Sequence, residues 1–258
     1  MRKDALTIVL ITAVAGIFGG FLRWLQLLNA FEEDSGLSIP GSATSVVMVL
    51  YLALAALVFA ALAFFLLKSF SPPRSVSAAL RSSTSLPQII SIASGVLAAV
   101  TGLVLLFTAH DAARPLGQRI FGACCLFLAA ALPGLFAKRG EGPKEKNLAA
   151  LVPVLFCCVW LAYCYRCHAE NPVVWAYVVE LLAVVALTLG CYETAAYSYG
   201  RAKPGRALFF VQLAAFLCIT TLTDERSLPM QLLFVLAAAG MLTAEYLLVE
   251  NLRSKDTD

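Results

Sequence analysis

Residues 207–249 read ALFFVQLAAFLCITTLTDERSLPMQLLFVLAAAGMLTAEYLLV, two apolar runs on either side of Asp224-Glu225-Arg226. A helix needs about 20 apolar residues to cross the hydrocarbon core of a bilayer. Reading this stretch as one long helix would bury three consecutive charges, which is costly. The residues therefore predict two spans, 207–223 and 227–249, joined by a short charged turn. Ser227-Leu228-Pro229 suits the start of the second: a hydroxyl able to cap, then proline in the first turn, where its missing N–H is no loss.

Outward from this pair the same pattern repeats. It predicts six further spans at 5–25, 45–67, 87–109, 117–137, 148–167 and 173–200, eight in all within a single membrane domain. Ser85-Leu86-Pro87 and Asn171-Pro172 mark two more starts, while Pro133-Gly134 and Pro153 predict kinks in the fourth and fifth spans. Composition agrees: 60% of the 258 residues are hydrophobic and 14% charged, against roughly 45–50% and about 25% in soluble domains. The fold class is an all-α polytopic transmembrane bundle. Ala13-Val14-Ala15 resembles a signal-peptide cleavage site, but apolar character continues through Leu28, so the first span is expected to be retained.

Basic residues set the orientation. Arg2, Lys3, Lys68, Arg74, Arg81, Lys138, Arg139, Lys144, Lys146, Arg201, Lys203, Arg206, Arg253 and Lys255 fall on the side of the chain ends, fourteen of the nineteen. Arg23, Arg114, Arg119, Arg166 and Arg226 fall on the other. Positive side chains are retained in the cytoplasm, so the sequence predicts a cell-membrane protein with both termini inside. Trp24, Trp175 and Tyr177 at the outer edge, and Tyr197 and Tyr199 at the inner, read as interfacial anchors.

Ionisable groups inside spans are costly and therefore functional suspects. At about 1.5 Å per residue, Glu193, Gln212 and Glu245 come out at similar depth, roughly 10 Å inside the cytoplasmic edge. One polar layer of these three would bind a cation, a proton or a polar substrate group, or would tie helices together as a structural cluster. Toward the outside, Arg23 and Glu180 share a depth at which they either pair or Arg23 snorkels to the headgroups.

Cys164-Tyr165-Arg166-Cys167-His168 matches the C-x-x-C-H attachment signature for c-type haem. Five residues in a chain of eight cysteines are a weak signal, and a simple dithiol at a helix end is the plainer reading. Cys124-Cys125 and Cys157-Cys158 read as buried packing rather than a soft-metal site, because adjacent helical residues point about 100° apart. No cofactor or metal is expected. Gly16 and Gly20 form G-x-x-x-G, a motif for close helix approach either within the bundle or between copies in an oligomer. The acidic run Glu32-Glu33-Asp34 is a solvated loop able to attract cations.

Phe31-Glu32-Glu33-Asp34-Ser35-Gly36-Leu37 after the Arg23 segment, with Asn171-Pro172 before Glu180, resembles multi-span membrane proteins of anaerobic Gram-positive bacteria. The resemblance implies a lineage and brings no activity or site residues with it.

A net charge of +3 and the lack of a glycine-rich phosphate loop argue against nucleic-acid partners and a built-in nucleotide motor. Three classes stay open. One is a transporter or permease-like component, supported by the polar layer. Another is a non-catalytic subunit or scaffold binding a further membrane or cytoplasmic protein, suited to the short loops. The third is a membrane redox protein resting on C-x-x-C-H alone. An enzyme is the least expected.

Overall fold

The computed structural model describes residues 2–32, 37–73, 76–82, 84–111, 114–135, 148–169 and 171–254. Among them, eight helices are long and apolar enough to cross a membrane: Asp4–Asn29, Ala43–Ser69, Leu86–His110, Pro115–Gly134, Leu148–His168, Val174–Tyr199, Pro204–Thr223 and Leu228–Glu250. The expected all-α bundle is what forms. Boundaries move by a few residues; the first helix runs four further, to Asn29. The expected end of the fourth span at residue 137 lies outside the described residues, as do Glu33, Asp34, Arg74, Lys138, Arg139, Lys144, Lys146 and Lys255.

The α-helical segments are α1 (Arg2–Asn29), α2 (Ala43–Ser69), α3 (Val76–Ala79), α4 (Leu86–Phe107), α5 (Pro115–Ala131), α6 (Val152–His168), α7 (Val174–Ala196), α8 (Pro204–Thr220) and α9 (Leu228–Glu250). All but α3, a single turn, belong to spans. Strands β1 (Phe70–Ser71) and β2 (Arg253–Ser254) pair antiparallel, with Phe70 opposite Ser254. This ladder, with the Asn251 amide donating to the Ala79 and Arg81 carbonyls at 3.0 and 2.8 Å, fastens the C-terminal end of α9 to the link after α2. That end is called the terminal face here, and the opposite end the far face.

Burial explains the layering. In the spans built on α8 and α9, 61% and 67% of the apolar window is buried, against 22–44% in the other six. These two helices form the centre, and the others present leucine, valine and phenylalanine outward. Leu50, Leu54 and Leu57 of α2, and Phe107 and Phe127 on α4 and α5, are all more than half exposed. An apolar surface of that extent has no place on a soluble monomer. Lipid is its solvent, and the chain is a multi-pass integral membrane protein.

Small residues set the closest crossings. At Gly102 on α4 an added Cβ would lie 2.8 Å from the Gly122 carbonyl oxygen of α5, and at Gly122 one would lie 3.0 Å from that of Gly102. At Gly16 and Gly19 on α1 it would meet Ile219 at 2.8 Å and Thr220 Oγ1 at 2.5 Å, so this face packs on α8. The glycine motif thus serves helix approach inside the bundle.

Local details depart from expectation at the prolines. Pro133 and Gly134 do not kink a helix but form a 3-10 turn that ends α5, and Pro153 sits in the first turn of α6 after the 3-10 turn Leu148–Leu151. Both are positions where a missing N–H breaks no α-helical bond. Pro87 and Pro229 occupy first turns as expected, but the Ser85 and Ser227 hydroxyls make no capping bond. Asn171 does act, its Oδ1 accepting from the Val173 N–H at 2.9 Å ahead of α7. After α7, Gly200 takes the left-handed conformation (φ 66°) that lets the Arg201 N–H reach the Ala196 carbonyl and stop the helix. Tyr197, expected at the interface, is buried.

Candidate functional site

The centre of the bundle holds one acid without a charged partner. Glu245, on the middle helix α9, has no exposed surface. Its Oε1 accepts from Thr12 Oγ1 of α1 at 2.8 Å and from Gln212 Nε2 of α8 at 3.0 Å. Its Oε2 has no hydrogen-bond partner, and neither does Gln212 Oε1. Three spans thus converge on a carboxyl with two neutral donors on one oxygen and none on the other. The sequence placed Gln212 and Glu245 in one layer, and the two are in contact. Thr12 was missed, since a lone threonine in an apolar run carries no signal beyond matching depth. Glu193 belongs elsewhere: its Oε1 pairs with the half-exposed Arg206 Nη2 at 2.7 Å, at the terminal-face end of α7 and α8.

At the far face a chain of charges crosses the bundle. Arg23 of α1 is completely buried. Its Nε donates to Asp224 Oδ1 at 2.7 Å, Nη1 to Gln26 Oε1 and the Trp175 carbonyl, and Nη2 to the Ala176 carbonyl. Asp224 Oδ2 accepts from Arg226 Nη2 at 2.6 Å and from Thr221 Oγ1 at 2.9 Å, and Arg226 Nη2 also bonds Thr221 Oγ1. The Nε of Arg226 reaches Glu180 Oε2 at 3.3 Å, and its guanidinium lies 4.5 Å from the Phe234 ring centroid. Glu180 finally meets His168 Nε2 and Cys164 Sγ, each at 3.3 Å. Arg23 and Glu180 therefore share a network without touching, with Asp224 and Arg226 between them. The sequence had treated those two as turn charges. Their spacing of two residues puts both side chains on the inner side of the turn, which the composition of the turn alone does not reveal.

Two cavities adjoin these groups. The first, about 660 Å³, opens at the far face between Trp24, Phe31, Tyr163, His168, Glu180 and Arg226. It falls in the range of small-molecule sites, roughly 300–1,000 Å³. The second is a slot of about 90 Å³ inside the ring of α4, α5, α6, α7 and α9, reaching from Leu80 and Ala150 at the terminal face to Trp160 and Leu233. Neither includes Glu193, Gln212 or Glu245 in its wall. Helix α9 separates the slot from the acid, with Gly240, Met241 and Ala244 on the slot side and Glu245 turned to α1 and α8.

The C-x-x-C-H residues as placed do not fit a haem. Attachment needs both thiols open, but Cys164 is 2% exposed and donates to Glu180, while His168 bonds Glu180 and stacks on Tyr177 at 4.5 Å. Of the paired cysteines, Cys125 and Cys157 are in the core and Cys158 faces outward. Among the described residues no three His, Cys, Asp or Glu side chains gather as metal ligands. Searches against known protein families, curated proteins and solved structures find nothing that matches this chain.

Proposed function

We propose that this membrane protein is a transport-type component in which the Glu245 carboxyl, held by Thr12 and Gln212, takes up and releases a proton as the coupling step. The single observation behind this reading is the unpartnered Oε2 of a fully buried acid. An ionised carboxylate there would lose its water for two neutral hydrogen bonds, and the effective desolvation penalty is several kcal/mol per ion. Carrying a proton relieves it. A bundle needing only cohesion would be served at least as well by an apolar side chain of that size. In this reading the far-face cavity is the vestibule for a polar solute, and the terminal face, with fourteen of the nineteen basic residues, is cytoplasmic at the cell membrane.

The test uses Glu245→Gln, neutral and of equal shape. Infrared difference spectra of the purified protein between acid and alkaline buffer should contain a buried carboxyl band that the variant lacks. Proteoliposomes holding a pH-sensitive dye should acidify under an imposed inside-negative potential, and the variant should not. A variant matching the wild type in both assays overturns the reading.

One observation favours a second reading. The Glu245 layer is walled off from both cavities, as suits a structural tie in a non-catalytic subunit that binds another membrane or cytoplasmic protein. In that case Glu245→Gln keeps its fold, its carboxyl band is lost, and neither protein moves protons.

A further inference from the structure

The slot inside the five-helix ring differs in kind from the polar clusters. Along α7 its wall runs from Leu187 to Ser198, and along α9 from Leu233 to Ala244, in each case roughly 16 Å at 1.5 Å per residue. A volume of about 90 Å³ spread over that length is a narrow channel, wide enough for one hydrocarbon chain. The wall is almost wholly apolar. Two of its hydroxyls are already spent, Ser91 on the Leu132 carbonyl and Thr194 on the Gly190 carbonyl.

Water does not suit this space. The volume would admit several molecules, but each needs two to four polar partners, and apolar cavities stay dry and take apolar guests. One group in the wall nevertheless wants an acceptor. Trp160, 1% exposed, packs against Phe156 and Phe234 at 5.7 and 4.7 Å between ring centroids, and its Nε1–H has no partner. A buried indole N–H ordinarily has one. Trp160 lies at the deep end of the slot, level with Leu187 in mid-span.

We infer that the slot binds the single hydrocarbon chain of a membrane-soluble, uncharged lipid with a leading carbonyl, such as a protonated long-chain fatty acid or its ester, whose carbonyl oxygen accepts from Trp160. The chain fills the dry channel toward the terminal face, and the carbonyl satisfies the one donor that the protein leaves open. This site stands apart from Glu245, which faces the other side of α9, so neither proposal depends on the other.

Trp160 is its own reporter. With Trp24 and Trp175 replaced by Phe, it remains the one tryptophan in the chain. Gly240 supplies the block: it lines the slot, and a Cβ added there meets nothing within 4 Å, so Gly240→Leu fills the channel without a backbone clash. Dibromostearic acid and its methyl ester should quench the fluorescence of the single-tryptophan protein saturably, and should fail to do so once Gly240→Leu is added. Bilayer phosphatidylcholine with dibromostearoyl chains should quench both proteins weakly and equally, because its carbonyls stay at the headgroups. In equilibrium binding of tritiated palmitic acid, Trp160→Phe should weaken affinity by about two- to tenfold, the effect of one neutral hydrogen bond. Quenching without saturation, equal quenching in the Gly240→Leu protein, or quenching by phosphatidylcholine alone would each overturn the assignment. Unchanged thermal unfolding of Gly240→Leu confirms that a lost signal reports occupancy and not misfolding.

Discussion

Replacing Asp224 with Asn removes the one carboxylate that two buried arginines share. Arg23 Nε and Arg226 Nη2 lie 2.7 and 2.6 Å from its two oxygens, and all three side chains are less than a tenth exposed. The amide keeps the volume but loses the charge, and its NH₂ turns a donor toward one guanidinium. Two buried cations are then left with Glu180 as the nearest carboxylate, bonded to only one of them. Breaking a buried pair from one side costs about 3–5 kcal/mol, because the remaining charge stays desolvated. At roughly 2–4 °C per kcal/mol for a chain near this size, the unfolding midpoint should fall by roughly 6–20 °C. Thermal unfolding in detergent micelles, followed by tryptophan fluorescence, measures it. Glu225→Gln is the control: same turn, adjacent residue, exposed carboxylate. It should behave as an ordinary surface substitution. If Asp224→Asn shifts the midpoint no more than Glu225→Gln does, the network contributes nothing to stability and the argument from desolvation is wrong.

Three further outcomes follow from the geometry. Gly102→Val should destabilise by about 1–3 kcal/mol by forcing α4 off the Gly122 carbonyl, while Gly240→Ala should stabilise by up to about 1 kcal/mol; chemical unfolding in mixed micelles ranks the two, and equal effects would contradict the α4–α5 crossing. Thr12→Val should cost about 1–3 kcal/mol because it strips Glu245 of one of its two donors, and Thr7→Val one turn away should not, as read in the same unfolding assay. Cys167, exposed at the far face, should react with a membrane-impermeant maleimide added to intact cells, whereas Cys125, Cys157, Cys164 and Cys218 should not; labelling of Cys167 only after permeabilisation would invert the proposed orientation.

The spans were legible in the sequence because what specifies them is local. An apolar run of sufficient length, ended by Asp224-Glu225-Arg226 or by Lys203-Pro204-Gly205, forces its own helix and its own ends whatever surrounds it. Depth was legible for the same reason, since a fixed rise per residue converts position into height. That is why Gln212 and Glu245 could be set in one layer before any contact was known. Rotation about each helix axis was not legible. Glu193 lies at similar depth but turns toward Arg206, and the C-x-x-C-H cysteines divide, one buried on Glu180 and one exposed.

By itself, then, the chain of residues determined an eight-span helical membrane protein and the heights at which its polar groups sit. Only the tertiary structure decided which of those groups meet: Thr12 with Glu245, Asp224 between two arginines, and Trp160 alone at the end of a dry slot. The physical reason is that lipid solvates every apolar face alike. Hydropathy therefore drives insertion without choosing neighbours, and the choice falls to close packing of glycines and to a few buried hydrogen bonds between residues far apart in sequence.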